Sequence, residues 1–172
     1  VGDEAGTAIS TGDQNTFVGA FSGEATATTA DNTALGLSAL RNNIGSYNTA
    51  LGSQALRTSG DATYNTAVGY KAGYLVTTGI ENTLIGGLAG DSLTGGAANI
   101  ALGYNALSTD TGGNASIAIG KNALSTQNLG IDTFNTAVGF AAGAGVTTGV
   151  KNTFLGGLAG DATTDADENV AI

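Results

Sequence analysis

One pattern of apolar and polar positions recurs from end to end of the chain: N-T-x-Φ-G-x-x-(A/S)-(G/L), with Φ a branched aliphatic residue. Its glycine falls at Gly2, Gly19, Gly36, Gly52, Gly69, Gly86, Gly103, Gly120, Gly139 and Gly156, a spacing of 17 residues apart from one turn of 16 and one of 19. A fixed period of this length, with one short apolar segment per repeat, predicts an all-β parallel β-solenoid (a β-roll) of about ten turns. Stacked at one strand spacing per turn, it would be about 48 Å long. The segments NTFVG, NTALG, NTAVG, NTLIG and NTFLG are predicted as five-residue strands. The A/S-G/L pair, from Ser22-Gly23 to Ala159-Gly160, is predicted as a return strand or the turn leading into it. The polar remainder of each turn belongs on an outer face, and the insertion between Gly120 and Gly139 is placed there.

The columns of the repeat sharpen this picture. The residue before the glycine is Val18, Leu35, Leu51, Val68, Ile85, Leu102, Ile119, Val138 and Leu155, and this column is assigned to the core. Strand alternation puts a second column on the same face, Thr16, Thr33, Thr49, Thr66, Thr83, Thr136 and Thr153, replaced by Ile100, Ile117 and Val170. Between them the opposite face is also apolar: Phe17, Ala34, Ala50, Ala67, Leu84, Ala101, Ala118, Ala137, Phe154 and Ala171. A strand apolar on both faces must be covered on both. One cover is the interior of the solenoid, the other a second layer or chain. The expectation is a parallel trimer in which Ala34, Ala50, Ala67, Ala101, Ala118 and Ala137 approach the shared axis or the neighbouring chain. Each strand is headed by asparagine, at Asn15, Asn32, Asn48, Asn65, Asn82, Asn99, Asn135, Asn152 and Asn169, with Ser116 the exception. Asparagine tolerates the left-handed region and can bond to the amide stacked above it, so the column is given a structural role.

Composition narrows the function. Proline, cysteine, methionine, tryptophan and histidine are absent, and only 11% of residues are charged. With 5 basic and 14 acidic residues, net charge -9, the chain has no surface for nucleic acid or an anionic membrane. Its repetition makes residues 1–172 a single solenoid domain. YNTAVGYKAGYLVTTGIENTLIGGLAG from Tyr64 matches FNTAVGFAAGAGVTTGVKNTFLGGLAG from Phe134, an offset of 70 residues or four turns that reads as duplication of a block of turns. Val1 and Ile172 fall in the same column, so the chain reads as a segment of a longer fibre or as a subunit that stacks end to end.

NASIAIGKNALS at 114–125, with NIALGYNAL and NTAVGYKAG, resembles the head repeats of YadA-type trimeric autotransporter adhesins. NTAVGY and NTALG are also similar to repeats of bacteriophage tail-fibre proteins. The resemblance covers nearly the whole chain. It implies a left-handed parallel β-roll, a homotrimer, an extracellular place on a cell surface or virion, and a structural and adhesive role towards a host-surface receptor or glycan.

Candidate chemistry changes little. With neither His nor Cys there is no imidazole base or thiolate, and the carboxylates lie on variable stretches rather than in a fixed pair, so no enzyme and no cofactor are expected. Asp165, Asp167 and Glu168 read as a solvated acidic loop, and the GGLAGD segments at 86–91 and 156–161 lack the consecutive nonapeptide spacing of a calcium roll, so no metal is expected. Ice binding is the alternative function. It is held second because the Thr column is read as facing inward and only Thr26 and Thr28 form a T-x-T on a loop. Tyr70, Tyr104 and Phe140, directly after the motif glycine, are the possible glycan contacts; Tyr47, Tyr64 and Phe134 precede the asparagine.

Overall fold

The computed structural model describes all residues from Val1 to Ile172. Ten short strands follow one another: β1 (Thr16–Val18), β2 (Thr33–Leu35), β3 (Thr49–Leu51), β4 (Thr66–Val68), β5 (Thr83–Ile85), β6 (Ile100–Leu102), β7 (Ile117–Ile119), β8 (Thr136–Val138), β9 (Thr153–Leu155) and β10 (Val170–Ala171). They form one parallel sheet in strict sequence order, which makes the molecule a β-solenoid. The register pairs motif column with motif column, as in Thr66↔Thr83, Ala67↔Leu84 and Val68↔Ile85. It holds across the short turn, Thr33↔Thr49, and the long one, Ile117↔Thr136. Nine circuits separate β1 from β10, about 43 Å at one strand spacing each. Residues 1–15 stack against the first circuit without a strand of their own, through Gly19 N–H to Val1 O at 2.7 Å and Phe21 N–H to Asp3 O at 2.8 Å.

The strands are three residues long rather than five. The reason lies in the flanks: the motif glycine leaves the strand at a φ that only glycine adopts freely, +137° at Gly69, and the residue before each asparagine is left-handed, φ 59° at Tyr64 and 61° at Glu81. A Cβ on Gly69 would lie 2.5 Å from Gly86 O, so the close stacking of turns also demands glycine. The asparagines themselves are not left-handed, which corrects half of the reason given for the column; the residue before them makes the bend. No return strand forms either. The A/S-G/L pair is a turn, bent again at Lys71 (φ 55°) and Gly73 (φ 60°). Of 105 backbone hydrogen bonds only 18 lie within strands, so the stacked turns, bonded rung to rung as in Gly73 N–H to Ala89 O at 2.9 Å, hold the stack more than the sheet does.

The faces of the strand are the reverse of the sequence assignment. Ala34, Ala50, Ala67, Leu84, Ala101, Ala118, Ala137 and Phe154 point into the solenoid's own interior and are buried, so they approach no neighbouring chain. The column assigned to the core, Val18, Leu35, Leu51, Val68, Ile85, Leu102, Ile119, Val138 and Leu155, points outward, with Val18 37% and Leu155 50% exposed and Val68, Ile85, Ile119 and Val138 half-buried. The physical reason is width. Alternation ties asparagine to the strand centre on one face, and the interior is narrow enough to be filled by Asn, Ala and one larger side chain per turn. Where the strand centre is bulky the corner is glycine: a Cβ on Gly90 would sit 2.8 Å from Leu84 Cδ2. In four of the turns with alanine at the centre, Leu40, Leu56, Leu107 and Leu124 take the corner and are buried, accepting φ of 46–52° to do so. After Ala67 and Ala137 the corner stays glycine because the next turn's Leu84 or Phe154 fills the space, 2.8 Å from a Cβ on Gly73 or Gly143.

Candidate functional site

Three long features run parallel to the solenoid axis: an internal amide ladder, an outward apolar strip and a column of exposed aromatics. The ladder is built from the asparagine column. Asn82 donates its backbone N–H and its Nδ2 to Oδ1 of Asn65, each at 3.0 Å, and Nδ2 also reaches Gly96 O in the next turn at 2.8 Å. Asn99 repeats the pattern on Asn82 at 3.0 and 3.1 Å, and Asn152 and Asn169 do so further along. Asn32, Asn48, Asn65, Asn82, Asn99, Asn135 and Asn152 are buried, while Asn15 and Asn169, in the outermost rungs, are half-buried. Every buried amide of the column is bonded within the fold, which gives the column its structural role.

At Ser116 the ladder lacks an amide, and a polar cluster absent from the sequence reading takes its place. Ser116 meets Thr133 through their hydroxyls, Gln127 Nε2 donates to Ser116 Oγ at 3.0 Å and to an Asp110 carboxylate oxygen, and Asn135 Nδ2 donates to Gln127 Oε1 at 2.8 Å. The other Asp110 oxygen accepts from Gly113 N–H at 2.8 Å and Gly112 N–H at 3.1 Å. Asp110, Gln127, Ser116 and Thr133 are all buried. The signal was present, because Thr26, Asn43, Ser59, Val76, Leu93, Asp110, Gln127 and Val146 form a further inward column three residues after the A/S-G/L corner. The two extra residues of the long turn bulge nearby, where Ile131 is exposed and Gly130 has open space around it, in the outer loop as expected.

The outward strip consists of the Thr column and the aliphatic column side by side. Thr16, Thr33, Thr49, Thr153, Ile100 and Val170 are exposed and Thr66, Thr83, Ile117 and Thr136 half-buried, so the Thr column looks outward, not inward. No charged residue interrupts either column in any turn. On the loop, by contrast, Thr26 is buried with its hydroxyl on Gly23 O, so Thr26 and Thr28 form no exposed lattice.

Tyr70, Tyr104 and Phe140 are all exposed, at 54%, 53% and 55%, and share one column. Lys71 Nζ lies 5.4 Å from the Tyr70 ring and 5.1 Å from the Tyr74 ring, and the Arg57 guanidinium lies 5.6 Å from the Tyr74 ring. Tyr47 and Tyr64, by contrast, stack on each other across adjacent turns, centroids 4.8 Å apart and 4° from parallel. Asp91 beside Lys71 is the one carboxyl pushed above the ordinary range, by burial first, against the pull of its backbone hydrogen bonds and Lys71.

The acidic loop is spread out. Asp167 accepts from Val150 N–H at 2.8 Å, Glu168 pairs with Lys151 at 3.2 Å, and Asp165 accepts from Thr164 at 3.1 Å. No three carboxylates converge anywhere in the chain, and no cavity opens into it. Comparison with protein-family models, curated proteins and solved structures gave no match to the chain.

Proposed function

We propose that the chain is a rigid structural and adhesive segment of an extracellular fibre on a cell surface or virion, with its outward Thr/aliphatic strip packed against further copies of itself in a parallel trimer. The observation that carries this is the strip: two uncharged columns, one aliphatic throughout, exposed along the sheet of a chain whose net charge is -9. Solvated sheet faces are ordinarily polar, and a continuous apolar strip marks an interaction surface. Identical copies fit it best, since parallel chains of one repeat present matching rows to one another. The number three rests on the resemblance of NASIAIGKNALS and its relatives to trimeric adhesin heads.

Sedimentation equilibrium tests it. The unaltered chain is expected at three times its 16.7 kDa mass. Leu51→Lys with Leu102→Lys is expected to give folded monomers, because both side chains are outward. Ala67→Asp is expected to unfold the chain instead, because it buries a charge. A monomeric unaltered chain overturns the assembly.

One observation favours a second reading, an ice-binding solenoid. The Thr column is outward, so hydroxyls repeat at the strand spacing from Thr16 to Thr83 before Ile100 and Ile117 interrupt them. Thermal hysteresis at millimolar concentration, lost on Thr49→Lys with Thr66→Lys, would establish it. The two readings compete for the same face: a strip buried in a trimer cannot meet ice.

A further inference from the structure

The residue after each motif glycine forms its own row on the outside of the solenoid: Tyr70, Gly87, Tyr104, Lys121, Phe140 and Gly157 in successive turns. Aromatic rings therefore recur at every second turn, and the register of β4 to β9 keeps them in line even through the longer turn before Phe140. The position between the first two rings is glycine, and the Tyr104 ring leans into the room it leaves: a Cβ on Gly87 would touch Tyr104 Cδ2 at 3.4 Å. The position between the second and third is Lys121, which is exposed and in no ion pair. Lys71 flanks the first ring, 5.4 Å from its centre, and is likewise in no ion pair. In a chain with 5 basic and 14 acidic residues, Lys121 within the row and Lys71 beside its first ring concentrate positive charge along it.

From this row we infer that Tyr70, Tyr104 and Phe140, with Lys71 and Lys121, bind an extended polysaccharide carrying about one carboxylate per two sugars. Two turns advance about 9.6 Å, close to the roughly 10 Å occupied by two linked pyranose rings in an extended β-linked chain. Aromatic faces stack on the apolar faces of every second sugar; Lys121 meets the carboxylate of the sugar between Tyr104 and Phe140, and Lys71 reaches a carboxylate next to the sugar on Tyr70. A row without a cavity suits a chain ligand lying along the axis and offers nothing to enclose a small one. The inference rests on the adhesive part of the proposed function and supplies its ligand class.

The test is calorimetric titration of the full chain with an octasaccharide alternating a uronic acid and N-acetylglucosamine, beside a neutral β-1,4-linked glucose octasaccharide, with sedimentation run on the same samples. The acidic chain is expected to bind and to weaken with added salt, the neutral one to bind at least tenfold more weakly. Tyr104→Ala is expected to weaken the acidic ligand by about tenfold, and Lys121→Gln to weaken it and reduce the salt dependence. Tyr47→Ala, an exposed aromatic outside the row, is expected to change nothing. Equal binding of both octasaccharides overturns the role of the lysines, and absence of binding overturns the site. A trimer that binds neither defeats this inference alone, whereas a monomer that binds the acidic chain defeats the assembly and keeps the ligand.

Discussion

Ser59 is the one buried side chain whose polar atom has no partner: its hydroxyl sits in the inward column between Asn43 and Val76 and meets no acceptor. A buried hydroxyl left unbonded costs of the order of 1–3 kcal/mol. Ser59→Ala is therefore expected to raise stability by about 1 kcal/mol, read as a higher denaturation midpoint at an unchanged slope; a loss would mean that the hydroxyl is bonded in solution. Asp91 makes a second residue-scale prediction. Burial raises its pKa in the fold, so the folded state holds its proton to a higher pH than the unfolded chain does. Its contribution to stability is full below the unfolded value of 3.8 and declines as pH rises through the raised folded value. Asp91→Asn is expected to stabilise the protein at pH 7 and to show a smaller advantage at pH 3. A benefit independent of pH would remove burial of the charge as the cause.

At the scale of a rung, the amide ladder and the glycine column cooperate: glycine lets turns approach, and asparagine makes the approach rewarding. Asn82→Ala removes the two bonds donated by Nδ2 and leaves the Asn99 donors, Asn65 Oδ1 and Gly96 O each short of a partner, so a loss of about 3 kcal/mol is expected in thermal unfolding. Asn169→Ala, in the half-buried last rung, is expected to cost under about 1 kcal/mol. Equal losses would show that burial does not set the value of a rung. The rungs also show what could be read in advance. Glycine spacing gave the solenoid, the columns and their register, because a one-residue slip would set a side chain where only glycine fits: a Cβ at Gly69 would lie 2.5 Å from Gly86 O. The faces were misread because hydrophobicity alone decided them: Val18 and Leu35 are more apolar than Ala34, yet alanine goes inside. Asparagine and alanine lie two residues apart and must share a side. Burying the amide ladder consequently buries the alanine and turns the aliphatics out. The Asp110–Gln127 cluster escaped because its members belong to different turns and carry no common letter. The aromatic row was visible as three residues but not as a row, since only the register reveals glycine and lysine between the rings.

For the molecule as a whole, the decisive property is that each turn is bonded only to its two neighbours, with most of the 87 backbone bonds outside the strands joining successive turns and no layer crossing the stack. Such a body is a ladder of near-equal steps, and that governs how it bears load. A pull that peels the chain from one end meets one turn at a time. Each released turn of 17 residues adds about 55 Å of slack once its own rise is subtracted. Single-molecule stretching of the chain held by its two ends is expected to give a staircase of short, similar extensions at similar force. One abrupt lengthening of the whole chain would contradict it. A solenoid built this way yields by paying out length, so the turns along its middle keep their shape under a tug that frees several at its tip.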